Sequence, residues 1–281
     1  MRIFIKNLTK HLVSLVMTWL PKTSLGRYIY REIIAKIMNQ PRLVSHRGHA
    51  LSFLAPNQLN DYRVATFATK EPATLEWIET IPANSVLWDV GANIGLYSVY
   101  AAVAQKCRVF AFEPSVFNLE LLARNIELNK QQSAICIVPI ALSDKLGSSM
   151  FKMSNTEWGG ALSTFGQSFN QDGEQLNQVF EYQTMGVSMD DACSLLQIPP
   201  PQYLKMDVDG IEHFILRGGI KTLSLATSVL IEINDAFTHQ AEETAAILKS
   251  VGLVLHKKCD LGVPNQYNQW WIRPSQVLSG S

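Results

Sequence analysis

Short apolar segments and helical segments alternate along most of the chain. Five β-prone runs predict buried parallel strands, at Val86–Val90, Arg108–Phe112, Ala134–Val138, Tyr203–Met206 and Ser228–Ile233. Segments with apolar residues at helical spacing flank these runs and predict helices over Glu71–Ile81, Leu96–Ala104, Ser115–Asn129, Glu212–Leu216 and Ala241–Val251. Strands that alternate with helices predict an α/β fold with a doubly wound, mostly parallel sheet.

Two stretches depart from this alternation. Within an insertion at about residues 146–187, Ser148–Met153 and Val179–Val187 predict a β-hairpin. We expect its connecting loop, which contains Trp158-Gly159-Gly160, to border a binding pocket, and the alternative is a mobile surface loop. At the C-terminus, the runs Leu253–Lys257 and Gln269–Arg273 predict an antiparallel hairpin that closes the sheet.

Residues 1–70 form a predicted N-terminal extension, and residues 71–281 a predicted main domain. The pattern indicates helices over residues 3–20 and Leu25–Met38, with Ser24 as the cap of the second, and a strand at Tyr62–Thr69. The helical pair packs either on the main domain or on a second subunit, which would make a homodimer. Alternatively, residues 1–40 contact a membrane peripherally. The apolar run Leu12–Leu20 is too short to span a bilayer, and no signal-peptide cleavage site follows it.

Composition narrows the function classes. The 281 residues are 47% hydrophobic, enough for a sizeable core, and 24 basic residues balance 24 acidic ones. This zero net charge argues against a nucleic-acid partner. Residues 1–50, however, carry many basic residues and the single acid Glu32. The four cysteines are widely spaced; Cys107 and Cys136 suit buried free thiols, and a reducing cytoplasm fits.

The strand Val86–Val90 runs directly into the glycine turn Gly91-Ala92-Asn93-Ile94-Gly95 and then into a helix, which is typical of a nucleotide site. The middle glycine of the dinucleotide fingerprint is missing. Asp89 at the strand end would repel a phosphate but pair with an ammonium group. Glu113 follows the next strand, about 20 residues on, where a carboxylate grips ribose hydroxyls. These features favour S-adenosylmethionine, which carries an ammonium and a sulfonium but no phosphate.

Four motifs in this order resemble the FkbM family of methyltransferases: Asp89-Val90-Gly91-Ala92-Asn93-Ile94-Gly95, Phe112-Glu113-Pro114, Ala141-Leu142-Ser143-Asp144 and Lys205-Met206-Asp207-Val208-Asp209-Gly210. The resemblance runs from about residue 72 to residue 233. It implies a class I methyltransferase, Rossmann-like fold and transfer of a methyl group to a hydroxyl, often of a sugar, a polyketide or another small metabolite. It also implies that the Ala-Leu-Ser-Asp stretch lies by the adenine. The predicted cofactor-binding residues are therefore Asp89, Gly91, Asn93, Gly95, Glu113, Ser143, Asp144 and Asp207.

The predicted catalytic residues are Asp207, Asp209 and His213. Asp207 ends the fourth strand and should lie near the transferable methyl; the other residues that could reach this rim are Glu212, Asn234, Asp235 and His239. In one route, a carboxylate or a histidine is the general base. In the other, Asp207, Asp209 and Asn234 or Asp235 hold a divalent cation. Structural roles remain alternatives: loop hydrogen bonds for Asp209 and a helix cap for Glu212.

Two other functions were weighed against methyl transfer. An NAD-dependent oxidoreductase or epimerase would need the missing glycine and usually a Tyr-x-x-x-Lys pair, which the sequence lacks. An inactive scaffold would not need the motif acids. A base or amide acceptor is disfavoured, since Asp207-Val208-Asp209-Gly210 replaces the Asn/Asp-Pro-Pro-Tyr/Phe motif of such enzymes. The prediction is thus a cytoplasmic enzyme, with or without a peripheral membrane contact, that acts on a glycan, glycolipid or small metabolite.

Overall fold

The computed structural model describes residues 2–274, and their side chains from residue 11 onward. The strands are β1 (Arg42–His46), β2 (His49–Phe53), β3 (Val86–Val90), β4 (Arg108–Phe112), β5 (Ile135–Val138), β6 (Ala141–Ser143), β7 (Gly147–Met153), β8 (Ser163–Phe165), β9 (Phe180–Ser188), β10 (Tyr203–Met206), β11 (Ser228–Asn234), β12 (Val254–Asp260) and β13 (Gln266–Ile272). The helices are α1 (Arg2–Trp19), α2 (Ser24–Ile37), α3 (Gln58–Ala65), α4 (Pro72–Glu79), α5 (Leu96–Ala104), α6 (Val116–Leu128), α7 (Met189–Ser194), α8 (Glu212–Arg217), α9 (Ile220–Ser224) and α10 (Thr238–Ser250). A short 3₁₀ turn, Leu20–Lys22, joins α1 to α2.

A seven-stranded sheet forms the centre, in the order β12-β13-β11-β10-β3-β4-β5. The five strands from β11 to β5 are parallel, and β13 and β12 add an antiparallel hairpin at the β11 edge. The predicted fold class, a doubly wound Rossmann-like sheet with an antiparallel C-terminal hairpin, is confirmed. β3 lies between β4 on one side and β10 on the other. The chain therefore reverses its winding direction at β3. Ligands bind at such a switch point, outside the carboxyl ends of the strands.

The strands are buried on both faces, which explains their continuous apolar sequences. Trp88 and Phe112 lie in one core cluster, under α7, α8 and α10, whereas Leu87 and Val109 lie in the other, under α4 and α5. Successive side chains of a strand point to opposite faces, so each strand contributes to both clusters. The sheet is thus held rigidly between two helical layers.

The insertion builds a second sheet of four strands, in the order β6-β9-β7-β8. β7 pairs antiparallel with β9, so the predicted hairpin is confirmed. β6 is parallel to β9, which ties the insertion to the chain that leaves β5. The loop between β7 and β8 then lies beside the carboxyl ends of the central strands.

Three local predictions were wrong. Tyr62–Thr69 is not a strand: α3 occupies its first half, and turns occupy the second. The helix forms because the Asn57 side chain accepts the Asn60 N–H and caps it, and its buried residues recur at helical spacing. The cap of α2 is Thr23, whose hydroxyl accepts the Gly26 N–H at 3.0 Å, and not Ser24. Of the two cysteines expected to be buried, Cys136 is exposed, because β5 is the last strand of the sheet.

The two N-terminal helices form as predicted, but one of the two packing arrangements expected for them, on the main domain, is not observed, and packing on a second subunit stays a prediction. Of residues 11–37, only Gly26 is buried. The side chains of residues 11–37 are therefore not packed against the main domain. Leu51, Phe53, Val64 and Phe67, by contrast, share a core with β3. The division of the chain at residue 70 stays a prediction. Within residues 2–274, no helix combines the length and the apolar character needed to cross a membrane.

Candidate active site

A cavity of about 280 Å³ opens at the carboxyl ends of β3, β4, β10 and β11. Its volume is near the lower end of the range for small-molecule sites, roughly 300 Å³ upward. The glycine turn, the end of β10, the insertion loop and the β12–β13 loop supply its walls. The lining residues include Arg63, Glu71, Gly91, Asn93, Glu113, Asn118, Leu142, Phe151, Phe165, Asp207, Asp209, Ile211 and Glu232.

The glycine turn fits tightly against the end of β10. Gly91 has φ +80°, and a Cβ there would lie 1.8 Å from the backbone oxygen of Asp207. Gly95, with φ +81°, forms the N-cap of α5. Asn93 also adopts a left-handed conformation, and its Nδ2 donates to the Gly160 carbonyl at 2.9 Å. The turn is thus fixed by both β10 and the insertion loop.

Glu113 is held rigidly at the cavity wall. One carboxylate oxygen accepts the Asn93 N–H and the other accepts the Ser115 N–H, both at 2.8 Å. The Glu113 carboxylate is buried, and this burial raises its pKa to about 7. The two backbone hydrogen bonds lower the pKa, but by less than burial raises it. The structure therefore places Glu113 where the sequence predicted it, beside the glycine turn and facing the cavity.

Asp89 lies deeper than the sequence suggested. It is 1% exposed and is not among the residues that line the cavity. The Ser98 hydroxyl donates to its Oδ2 at 2.6 Å, and Lys205 Nζ lies 3.8 Å from its Oδ1. An ammonium group does face Asp89, but it belongs to Lys205. A direct contact between Asp89 and a ligand would require Lys205 to move.

Lys205 bridges two carboxylates, because its Nζ also lies 3.4 Å from Asp207. Burial opposes the charge of Lys205, yet Asp207 and Asp89 together raise the pKa of its ammonium group. Lys205 also lines a smaller adjoining cavity of about 60 Å³. The sequence analysis did not assign it a role. The signal was present, since Lys205 is a lysine within a strand that is otherwise apolar.

Acidic side chains dominate the opposite wall, at the ends of β10 and β11. Asp207 and Asp209 line the cavity as predicted, together with Glu232 and Glu71, which the sequence analysis did not assign. Burial, followed by the charges of Asp207 and Glu71, raises the pKa of Glu232 to about 9. Burial and Asp207 raise the pKa of Asp209 to about 6. A glutamate inside the apolar run of β11 was the available signal for Glu232.

Several predicted residues have structural contacts. Asp209 accepts the Leu162 N–H at 2.6 Å and so holds the insertion loop. Glu212 accepts the Gly210 N–H at 3.1 Å and thereby fixes the loop after β10. His213 does not line the cavity; its buried ring contacts Phe214 and His239 on the outer side of α8. The geometry does not bring His213 to the reacting groups, because side chains one position apart on a helix face different directions.

Ser143 and Asp144 also lie outside the cavity lining, whereas Ala141 and Leu142 of β6 contribute to it. The Ser143 hydroxyl donates to Asp144, and the Asp144 side chain is exposed. The apolar half of the Ala-Leu-Ser-Asp stretch thus borders the cavity, and its position beside the adenine stays a prediction. For its polar half, the structure gives no contact with the cavity.

The carboxylates proposed to hold a cation do not converge. Asp235 pairs with Lys258, and Asn234 donates to Asp172 at 2.7 Å. In the described part of the chain, only His213, His239 and Glu243 form a group of three possible metal-binding side chains with ligand atoms within 4.8 Å of one another. That group does not line the cavity.

The insertion loop separates the cavity from an open groove. Five side chains bond the backbone of Trp158, Gly159 and Gly160, and these are Asn57, Asn60, Arg63, Asn93 and Asn118. Gly160 lines the cavity, whereas Trp158 lines the groove with Tyr62 and Phe117. The loop is therefore a fixed wall with a ligand-accessible surface on each side.

The sequence was compared with protein families and with individual proteins of known activity. The family described as the methyltransferase FkbM domain matches residues 89–259, more than half of the chain. The hexuronic acid methyltransferase AglP of Haloferax volcanii is 23% identical over 197 residues, which cover 70% of this chain and 76% of AglP. The methyltransferase sdnD of Sordaria araneosa is 32% identical over 114 residues, 40% of this chain and 42% of sdnD.

Among solved structures, a methyltransferase FkbM from Methylobacillus flagellatus KT superimposes with a TM-score of 0.46 at 15% identity, over 90% of this chain and 60% of that one. The TYW2 protein of M. jannaschii, crystallised with AdoMet, gives a TM-score of 0.43 at 12% identity, over 83% of this chain and 86% of that one. At these TM-scores, neither superposition bears on function.

Proposed function

The chain belongs to the FkbM methyltransferase family, and from this premise we propose that it transfers a methyl group from S-adenosylmethionine to a hydroxyl of a glycan, glycolipid or small metabolite. The observation that carries the proposal is Glu113, whose two oxygens are fixed by backbone N–H groups at the cavity wall, next to the glycine turn. A carboxylate held in this way keeps lone pairs free for the two hydroxyls of a ribose.

The residues present fit the other parts of this cofactor. The smaller cavity is lined by both signs of charge, Lys205 and Arg63 with Glu71 and Asp207, which suits a zwitterionic amino-acid group. The larger cavity is lined by the apolar side chains of Leu142, Phe151 and Phe165, against which a purine ring could pack. When bound, the cofactor would supply an electrophilic methyl group on a cationic sulfur.

The charge balance of the cavity favours a cationic ligand. Four carboxyl groups, those of Glu71, Asp207, Asp209 and Glu232, line it. Burial, and then the charges of Asp207, Glu71 and Asp209, raise the pKa of Glu232, so a positive charge among these groups would be stabilised. An NAD molecule brings phosphates instead, which these carboxylates would repel.

We propose Asp207 as the group that takes the hydroxyl proton. Its side chain is 31% exposed and lines both cavities, so an acceptor can reach it. Asp209 is bound to the Leu162 N–H, and Glu232 retains its own proton at neutral pH and can donate a hydrogen bond to the acceptor. General-base catalysis of this kind contributes roughly 100- to 10,000-fold.

The divalent-cation route stays a proposal with a direct test. Activity is measured in EDTA and again after addition of Mg²⁺ or Mn²⁺. Full activity in the chelator would exclude the cation, whereas loss and recovery would establish it. Since the nearby carboxylates do not converge, we expect full activity.

A sugar acceptor is supported by the groove outside the insertion loop. Tyr62, Phe117 and Trp158 offer aromatic faces beside the amides of Asn57 and Gln58, a combination suited to the apolar faces and hydroxyls of a sugar. The methyltransferase AglP, named for its action on hexuronic acid, is similar to this chain. We therefore propose a glycan whose reacting sugar enters the cavity, while further sugars lie along the groove.

Calorimetry tests the proposal against the oxidoreductase alternative. The protein is titrated with S-adenosylmethionine and, separately, with NAD. We expect saturable binding of the first and none of the second. Tight NAD binding without binding of S-adenosylmethionine would overturn the proposed function, and absence of binding by either would favour the inactive scaffold.

A further inference from the structure

The N-terminal helical hairpin, defined as α1, the turn Leu20–Lys22 and α2, exposes an unusual amount of apolar surface. Twelve large apolar side chains between residues 12 and 37 are from 37% to 69% exposed: Leu12, Val13, Leu15, Val16, Met17, Trp19, Leu25, Tyr28, Ile29, Ile33, Ile34 and Ile37. Single exposed apolar residues are ordinary, but a contiguous set of this size marks a surface that binds something.

The hairpin is a defined structure and not an extended tail. A Cβ on Gly26 would lie 1.7 Å from the backbone oxygen of Leu20, so the start of α2 packs directly on the turn. Thr23 caps α2, and Lys22 Nζ lies 3.5 Å from the centre of the Trp19 ring. At the other end, Met38 packs against the core residues Leu54, Ile94 and Leu121. The exposed apolar surface is thus fixed to the enzyme close to the glycine turn.

The charge of this segment indicates what covers the surface. Residues 1–37 contain seven basic residues, which are Arg2, Lys6, Lys10, Lys22, Arg27, Arg31 and Lys36, and the single acid Glu32. The whole chain has no net charge, so the remainder of the molecule is acidic. A second hairpin would bring the same positive charge and would be repelled. An anionic surface would be attracted at the same time as the apolar side chains are buried.

We propose that the N-terminal helical hairpin lies in the interface of an anionic lipid bilayer, with its apolar side chains among the acyl chains and its basic side chains at the headgroup phosphates. The Trp19 side chain has an apolar ring and a polar ring N–H, and tryptophan is enriched at the depth of the lipid headgroups. An interfacial helix pair needs no spanning segment, which agrees with the absence of a helix able to cross a membrane in residues 2–274.

The test is co-sedimentation of the full chain with vesicles. One set contains phosphatidylcholine alone, and the other contains phosphatidylcholine and phosphatidylglycerol in equal parts. We expect the protein to pellet with the anionic vesicles and to be released by added salt. The variant Arg31→Gln/Lys36→Gln should bind the anionic vesicles roughly 30-fold more weakly, since each of the two basic residues near such a surface contributes about 1 kcal/mol and about 1.4 kcal/mol is tenfold.

A second variant tests the apolar surface. Ile29→Ser/Ile33→Ser should abolish pelleting with the anionic vesicles. The matched control is Val254→Ser/Leu255→Ser, which removes two side chains of similar exposure from β12 and should pellet like the wild type. Binding of S-adenosylmethionine, measured for each variant, confirms that it is folded.

Two results would overturn the proposal. One is equal pelleting of the wild type, the hairpin variants and the β12 control. The other is a stable dimer without lipid that Ile29→Ser/Ile33→Ser converts to a monomer while vesicles stay unbound, since the covering partner would then be a second copy. Neither measurement uses a methyl acceptor, so failure here would leave the proposed function intact.

Discussion

The two sides of the cavity hold their carboxylates in opposite ways. On the glycine-turn side, each oxygen of Glu113 accepts a backbone N–H. On the β11 side, Glu232 has no side-chain hydrogen bond to any of the described residues and faces other acids. A carboxylate that the protein has already satisfied is preorganised for a neutral ligand that donates hydrogen bonds. A carboxyl without such a partner, like that of Glu232 on this unsatisfied side, is poised instead for a cation or a proton.

This difference assigns a task to each side. The satisfied side defines position, because Glu113 cannot turn without breaking two hydrogen bonds. In the proposed reaction, the unsatisfied side would supply charge and proton transfer, because the protonation of its acids depends on what enters the cavity. The predictions that follow disturb the contact between the sides first, and then each side by itself.

The largest effect is expected where the two sides touch. Gly91→Ala should lower the free energy of unfolding by about 3 kcal/mol or more, because its Cβ would meet the Asp207 backbone oxygen at a positive φ. Gly95→Ala is the matched control, since its Cβ would meet only the flexible end of Leu122. Urea unfolding of both variants checks this. Equal destabilisation would mean that the contact between the turn and β10 is not the stronger constraint.

Asp207→Asn removes the proposed base from the unsatisfied side. We expect methyl transfer from labelled S-adenosylmethionine to glycans that contain hexuronic acid to fall about 100-fold or more in kcat. Affinity for the cofactor should change much less. Asp190→Asn serves as the comparison, because Asp190 holds the start of α9 far from the cavity lining. Unchanged turnover in Asp207→Asn would transfer the role to another acid of the cluster.

Glu113→Gln perturbs the satisfied side. The amide oxygen can replace only one of two acceptors, so we expect Kd for S-adenosylmethionine to rise about 10- to 100-fold, the loss of roughly 1.5–3 kcal/mol in charged hydrogen bonds. Calorimetry measures this, with Glu120→Gln on the exposed face of α6 as the control.

Glu113 should also make the affinity for S-adenosylmethionine depend on pH. A carboxylate that accepts from ribose must be ionised, and the pKa of Glu113 is raised to about 7. Affinity for the cofactor should therefore increase as the pH rises from about 6 to about 7.5, with release of a proton on binding. The Glu113→Gln variant should lose this dependence. A pH-independent Kd in the wild type would contradict the ionised state proposed for Glu113.

Glu232→Gln should have the smallest effect on methyl transfer at neutral pH, and its effect is on stability instead. With its pKa at about 9, folded Glu232 keeps a proton that the unfolded chain releases near the usual value of about 4.3. The stability that this proton provides is complete below about pH 4 and is lost as the pH rises towards 9. The variant should therefore show a shallower fall in unfolding free energy between about pH 5 and about pH 9. Glu242→Gln, an exposed acid, should keep the wild-type slope.

The sequence by itself determined most of the helices and strands, and it determined the glycine-turn side of the cavity. Val86–Val90, Leu96–Ala104, Arg108–Phe112 and Tyr203–Met206 form with the predicted bounds, and Glu113 stands beside the glycine turn. These features are local: apolar period, glycine spacing and the acid at a strand end are all encoded within a few residues.

Tertiary structure decided the rest. Whether a side chain reaches the cavity depends on which strand lies beside it and which way its face is turned, and neither is encoded locally. Lys205 covers Asp89 because β10 pairs with β3, and Glu232 joins the acids because β11 follows β10 in the sheet. His213 and Asp144 belong to correctly predicted segments but project away from the cavity. Strand order, set by the packing of the whole domain, selected among the candidates that the sequence offered.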